Sequence, residues 1–270
     1  MQQTAVDQLQ RTITCPREPR RIVSLVPSQT EWLFSLGLED RISGVTWFCE
    51  HPAGMVEHKP KIGGTKKVKL DRVRELNPDL IIANKEENVQ EQVAVLEQDF
   101  PVWISDVYDL ESALEMMRCT ATITGKRGPG SRLTSRIEKQ FHDLDPEKGR
   151  NRRILYLIWR DPWMSVGGDT FISKMIEAAG WTNVLAHRQR YPGLQDEDFH
   201  ALQPDWVFLS SEPFPFQKKH IEEVRRLYPY AGIILVDGSY FSWYGSRLLG
   251  TPDYLRRLQR DTRNNRAVLW

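Results

Sequence analysis

Two short stretches of this chain occur twice, in the same order and at nearly the same spacing, and this limits the available folds more than any other feature. Arg20-Arg21-Ile22-Val23-Ser24-Leu25 is echoed 132 residues later by Arg152-Arg153-Ile154-Leu155-Tyr156-Leu157. Leu76-Asn77-Pro78-Asp79-Leu80-Ile81-Ile82 is echoed 126 residues later by Leu202-Gln203-Pro204-Asp205-Trp206-Val207-Phe208. A helix ending in x-Pro-Asp before a buried strand is a common α/β junction, so either echo alone carries little weight. Two echoes in register predict two similar lobes, and 270 residues suffice to give each its own core.

The predicted strands are Ile22–Val26, Leu80–Ala83, Val102–Ile104, Ile154–Ile158, Trp206–Leu209 and Ile233–Val236. Each is continuously apolar, as strands buried on both faces are, and helical patterns lie between them. The expected fold class is therefore α/β: two similar α/β lobes with mainly parallel sheets. Ser28 and Glu31 have the spacing of a capping box. Asp169 is placed to cap a helix burying Phe171, Ile172, Met175, Ile176 and Ala179, which Gly180 ends. Thr251-Pro252 opens the last helix, with Leu255 and Leu258 facing inward.

Between the lobes Leu110, Leu114, Met117 and Ala121 share one helical face. After a break at Gly125-Lys126-Arg127-Gly128-Pro129-Gly130, Leu133, Ile137, Phe141 and Leu144 share another. The second helix, Ser131–Leu144, would run about 21 Å, as a stiff spacer rather than a loose linker. The expected division is an N-terminal lobe at 1–107, a helical connection with the long backbone helix at 108–146, and a C-terminal lobe at 147–270. Lobes joined in this way leave a ligand cleft between them, faced by the loops after the strands.

Those loops are unusually aromatic. The chain holds nine Trp, and a wall of such rings suits a bulky, flat, partly charged ligand. Trp47, Phe48, Trp159, Tyr191, Phe214, Tyr240 and Trp243 are the candidate wall, with Lys85, Arg160 and Glu212 at the ligand's polar rim. In Cys49-Glu50-His51, alternation on an extended segment would point Cys49 and His51 the same way. A thiolate and an imidazole suit a soft or borderline metal, or one of them could be the axial ligand of a macrocycle. The alternative is a buried thiol beside a hydrogen-bonded imidazole. Gly63-Gly64-Thr65-Lys66 lacks the order of a phosphate loop and reads as a turn. No Gly-x-Ser-x-Gly elbow marks a hydrolase.

Thirty-seven basic residues against 36 acidic ones leave a net charge of +1, which disfavours nucleic acid as a partner. No apolar run is long enough to span a membrane. The first ten residues lack the apolar core of a secretory signal, and Cys15, Cys49 and Cys119 form no Cys-x-x-Cys pair. As written the chain reads as cytoplasmic with reduced thiols, and as periplasmic if its true N-terminus differs.

The run from Arg21 to Glu31, then Ile62-Gly63-Gly64, then Leu70-x-x-Val73-x-x-Leu76-x-Pro78-Asp79-Leu80-Ile81-Ile82-Ala83, resembles the cobalamin- and ferric-siderophore-binding proteins of ABC importers. The resemblance spans about Arg20 to Leu258. It implies two α/β lobes joined by one backbone helix and a cleft that binds cobalamin, haem or an iron chelate. It implies no catalysis and no required cofactor. A Glu on each lobe would meet Arg on an ABC permease. In the first lobe the matching position is Gln90 with Glu91 beside it, and in the second Glu212 or Glu222. The expected function is binding of a metal chelate, a corrinoid ahead of a ferric siderophore. The alternatives are a cytoplasmic chelatase-like or macrocycle-modifying enzyme using His51 and Glu212, and a cytosolic ligand sensor.

Overall fold

The two Pro-Asp echoes have one structural cause. In a computed structural model, which describes residues 1–264, the Asp79 carboxylate accepts the backbone N–H groups of Arg20 at 3.0 Å and Arg21 at 2.8 Å. The Asp79 N–H in turn donates to the Arg21 carbonyl at 2.9 Å. Asp205 repeats the arrangement, accepting from the Arg153 N–H at 2.7 Å and donating to the Arg153 carbonyl at 2.8 Å. Each Pro-Asp turn thus pins the start of its own strand to the start of its neighbour, setting the register of a parallel pair.

The chain forms two compact units. The first comprises Met1–Val107, Glu111–Arg136 and Trp243–Arg247; the second comprises Tyr108–Leu110, Ile137–Ser242 and the chain from Leu248. The first unit opens with an antiparallel hairpin, β1 (Gln2–Val6) and β2 (Thr12–Pro16). β3 (Ile22–Ser24), α1 (Pro27–Ser35), β4 (Ile42–Val45), α2 (Leu70–Leu76), β5 (Leu80–Asn84), α3 (Gln90–Glu97) and β6 (Val102–Ser105) follow. Their four strands make one parallel sheet in the order β4-β3-β5-β6. α4 (Leu110–Ile123) and α5 (Arg127–His142) come next, and the chain passes between units inside α5, after Arg136.

The second unit holds β7 (Arg153–Trp159), β8 (Met164–Ser165), α6 (Phe171–Ala178), β9 (Thr182–Asn183), α7 (Asp196–Ala201), β10 (Trp206–Ser210), α8 (Lys218–Leu227), β11 (Gly232–Val236), α9 (Ser239–Ser242) and α10 (Thr251–Arg263). β11, β10 and β7 are parallel, β9 runs parallel beside the start of β7, and β8 pairs antiparallel with its end. All six predicted strands form, within two residues at either end, in mainly parallel sheets. Leu80, Ile81, Ile82 and Ala83 are wholly buried, and the three larger side chains each contribute about 1.5–3 kcal/mol.

Several local expectations need correction. Ser28 and Glu31 form no capping box: α1 starts at Pro27, its N-cap is Val26, and no side chain caps it. Thr170, not Asp169, caps α6 by accepting the Ser173 N–H at 3.2 Å, while Asp169 accepts the Arg190 N–H at 2.6 Å. The long helix begins at Arg127 rather than Ser131, with the Gly-Pro-Gly segment inside its first turns. A proline costs no hydrogen bond there. A side chain at Gly130 would come within 2.3 Å of the Ala121 Cβ, so glycine permits α4 and α5 to touch. β4 escaped prediction for a similar reason. Its Gly44 leaves room for Leu76 of α2, whose Cδ1 would lie 2.5 Å from an added Cβ, and glycine weakens the strand signal.

Candidate functional site

In the first unit, Val45 at the end of β4 exchanges hydrogen bonds with the returning chain: its N–H donates to Pro60 at 3.0 Å and its carbonyl accepts from Ile62 at 3.0 Å. The Trp47 N–H then donates to the Gly63 carbonyl at 2.9 Å, which fixes the Trp47 backbone while its ring stays 52% exposed. Phe48 is 57% exposed, with its ring edge against Gly64. Lys69 holds its ammonium 4.9 Å from the Trp47 ring centre, a cation–π pairing.

Cys49 and His51 do not share an exposed face. The Cys49 N–H donates to the Thr46 carbonyl at 3.2 Å, so the segment turns instead of extending. The turn carries the Cys49 thiol inward, where it is 1% exposed and lies 3.2 Å from the hydroxyls of Thr30 and Thr46. Burial pushes this thiol up from its ordinary pKa, disfavouring the thiolate a metal needs. His51 packs instead on Trp243, ring centres 5.5 Å apart and nearly perpendicular. Among the described residues no three His, Cys, Asp or Glu side chains are grouped to hold a metal ion.

Trp243, expected from the second lobe, belongs with its neighbours through Arg247 to the first unit. Gly245 lies over α1, where an added Cβ would come 3.0 Å from the Ser28 carbonyl oxygen. Arg247 donates to Glu31 through Nε at 3.3 Å and Nη2 at 2.9 Å, and its guanidinium lies 5.1 Å from the Trp243 ring centre. Both charged partners are largely buried, so Glu31 serves this segment rather than a helix cap. Lys85 extends from the end of β5 and pairs with Asp106 at 2.6 Å. Behind it, Asn84 donates to Ser105 Oγ at 3.0 Å, and its Oδ1 accepts the N–H groups of Glu86 and Glu87, each at 2.9 Å. That network fixes the loop that carries Lys85.

In the second unit, Trp159 ends β7, 39% exposed, and meets Phe214 edge-on at 5.8 Å. Phe214 also contacts Phe216 at 4.8 Å and His220 at 5.3 Å. Arg160 donates to Glu223 of α8 and lies 4.5 Å from the Trp163 ring centre. The bond to Glu223 raises the Arg160 pKa and lowers that of Glu223. Glu212 accepts a hydrogen bond from the Ser242 hydroxyl, and its backbone carbonyl accepts one from Ser210 at 2.6 Å. Tyr191 sits under the Arg190 guanidinium at 5.6 Å. Tyr240 stacks on Tyr254 of α10 at 4.4 Å, packing that ties α10 to the loop. Glu91 on α3 and Glu222 on α8 are both exposed.

The structure brings Trp47, Phe48, His51, Lys85 and Trp243 together in one unit, with Trp159, Arg160, Tyr191, Glu212, Phe214 and Tyr240 in the other. Sequence reasoning missed Lys69, Arg247 and Glu31. Lys69 is 22 residues from Trp47, and Arg247 is 216 residues from Glu31; no local pattern links positions so distant. The one visible signal was the turn at Gly63–Lys66, which delivers Lys69 back to the loop.

The protein resembles an uncharacterized ABC transporter substrate-binding lipoprotein, YvrC, of Bacillus subtilis (strain 168), 26% identical over 214 residues that make up 76% of this chain and 68% of the relative. It resembles a vitamin B12-binding protein of Vibrio campbellii, 25% identical over 195 residues, 71% of this chain and 70% of the relative. Among solved structures it shares the fold of the periplasmic heme-binding protein RhuT from Roseiflexus sp. RS-1 in apo form: TM-score 0.75, 24% identity, 91% of this chain and 98% of the other. These names give no support to the enzyme or the sensor. With the family model matching residues 22–231, from the first parallel strand to the turn before the last one, the chain belongs to the periplasmic binding protein family.

Proposed function

We propose that this protein binds a metal chelate (a corrinoid, haem or a ferric siderophore) and delivers it to an ABC permease without acting on it chemically. The observation that carries the proposal is the set of large rings left exposed at the C-terminal ends of parallel strands, Trp47 and Phe48 just after β4 in one unit and Trp159 at the last position of β7 in the other. Exposed aromatics at strand C-terminal ends suit a flat ligand better than they suit water. The names of the relatives support the same class of cargo.

On this proposal His51, Trp243, Tyr191, Phe214 and Tyr240 frame the ligand surfaces. Lys85, Arg160 and Glu212 contact polar groups, and Cys49 stays a buried structural thiol. Glu91 and Glu222, exposed on α3 and α8, would meet cationic side chains of the permease. A binding protein of an importer works outside the cytoplasmic membrane, which favours the periplasmic alternative for this chain over the cytosol. No described helix is long and apolar enough to cross a membrane.

Titration of the purified protein with cyanocobalamin, haemin and a ferric trihydroxamate, followed by tryptophan fluorescence, tests the proposal. At least one probe should quench saturably at one equivalent. No saturable response to any metal chelate would overturn it.

A further inference from the structure

The loop that supports Trp47 carries three ammonium groups, on Lys66, Lys67 and Lys69, all exposed. The turn is rigid: Gly64 and Lys67 exchange backbone hydrogen bonds at 3.0 and 3.2 Å, and the Lys69 N–H donates to Ile62 at 2.8 Å. Gln92 of α3 pins it from outside, accepting the Val68 N–H at 2.8 Å and donating to the Lys66 carbonyl at 3.1 Å. Lys69 lies over the Trp47 ring, and Lys66 donates to the Glu86 backbone carbonyl. Among the described residues none of the three makes an ion pair with a carboxylate, whereas Lys85 is paired with Asp106 and Arg247 with Glu31. Like charges fixed on one turn repel one another unless a counter-charge arrives.

We infer that the chelate is an anionic one, held in the first unit by Lys66, Lys67 and Lys69 around the exposed rings of Trp47 and Phe48. This rests on the proposed binding of a metal chelate and narrows its class. A ferric tricatecholate or a macrocycle bearing carboxylates would neutralise the ammonium groups while its flat parts lie on the rings. A neutral corrinoid or trihydroxamate would leave the charges unanswered, so the order of preference expected from sequence is reversed. Cation–aromatic pairs recur in the second unit at Arg160 with Trp163 and Arg190 with Tyr191. Arg160 there is already paired with Glu223, so the surplus of positive charge lies with the lysines of the first unit.

The test compares ferric tricatecholate with ferric trihydroxamate, and haemin with cyanocobalamin, at low and high salt. It uses the wild type, a Lys66→Gln/Lys67→Gln/Lys69→Gln variant, and a variant with arginine at the same three positions. An anionic probe should bind more tightly than its neutral counterpart and weaken as salt rises. The glutamine variant should lose about tenfold in affinity for it at unchanged thermal midpoint, and the arginine variant should retain it. Whichever of tricatecholate and haemin responds identifies the source of the charge. The inference is overturned if a neutral probe binds as tightly as both anionic ones, or if the glutamine variant binds unchanged. Failure of every probe overturns the proposed function as well; neutral-probe binding alone overturns only the charge class.

Discussion

The loop after β4 and the loop after β7 draw on the same few residue types, tryptophans and cations near a parallel strand end, and use them in opposite ways. After β4, Trp47 and Phe48 stay about half exposed, and the lysines of the adjoining turn have no carboxylate partners among the described residues. After β7, Trp163 stacks on Phe216 with ring centres 6.0 Å apart and meets Phe199 edge-on at 6.1 Å, and Arg160 is answered by Glu223. Where the loop after β7 satisfies Trp163 and Arg160 internally, the loop after β4 leaves Trp47 and Phe48 exposed beside these unpaired lysines. A tryptophan after a strand therefore stays exposed when the chain behind it gives the ring nothing to pack on. In the first unit Thr46, Gly63 and Gly64 surround the Trp47–Phe48 turn with small side chains or bare backbone. In the second unit Phe199 and Phe216 supply a bed of rings.

Replacing Trp163 with alanine makes the strongest break in this comparison. The substitution removes the stacked and edge-on contacts and the ring under Arg160. It should cost about 3 kcal/mol of stability. Denaturant unfolding measures the loss, and affinity per folded molecule should hold. A small stability change would mean that the second unit's rings are as available as those of the first.

Trp47→Ala should behave in reverse. The ring is 52% exposed, so stability should move by no more than about 0.5 kcal/mol. Removing a stacking surface should weaken the chelate by about tenfold, or 1.4 kcal/mol. Thermal midpoint and titration on the same variant check both halves. A lower midpoint with unchanged affinity would return Trp47 to the packing of its own unit.

Much of this fold was legible because buried parallel strands are short, continuous apolar runs that need no knowledge of their neighbours. Even the Pro-Asp echo was visible, although its cause, a carboxylate capping the adjacent strand, lies across 58 residues at Asp79 and Arg21. The N-terminal hairpin was not legible. β1 alternates exposed and half-buried residues, and its anchors are distant, such as Gln3 donating to the Ile123 carbonyl at 2.7 Å. At the site, position after a strand was readable but direction was not. Phe48 turns outward and Phe216 inward from similar loops, and one backbone turn at Thr46–Cys49 decides that Cys49 faces the core. Trp243 joins the first unit through Arg247 and Glu31, a pairing that no local pattern announces.

Glu223→Gln gives the finest division between the two loops. The hydrogen bond from Arg160 holds the Glu223 carboxyl below its ordinary pKa. A depressed folded-state pKa means stability that is complete above the unfolded carboxylate range and is lost as pH falls through the folded value. Glu223 is more than a third exposed, so water screens the pair and the contribution at neutral pH is about 0.5 kcal/mol. Wild type and variant should therefore differ by that amount at pH 7 and converge in acid, once Glu223 is protonated. Urea unfolding at pH 7 and through a series of falling pH values reads the difference directly. Neutralising Lys66, Lys67 and Lys69 should leave stability nearly unchanged across the same pH range, because none of the three has a carboxylate partner among the described residues. A Glu223→Gln gap that persisted in acid, after Glu223 is protonated in the folded state, would show packing rather than charge at work on α8. The second unit's cations would then be no better answered than those beside Trp47.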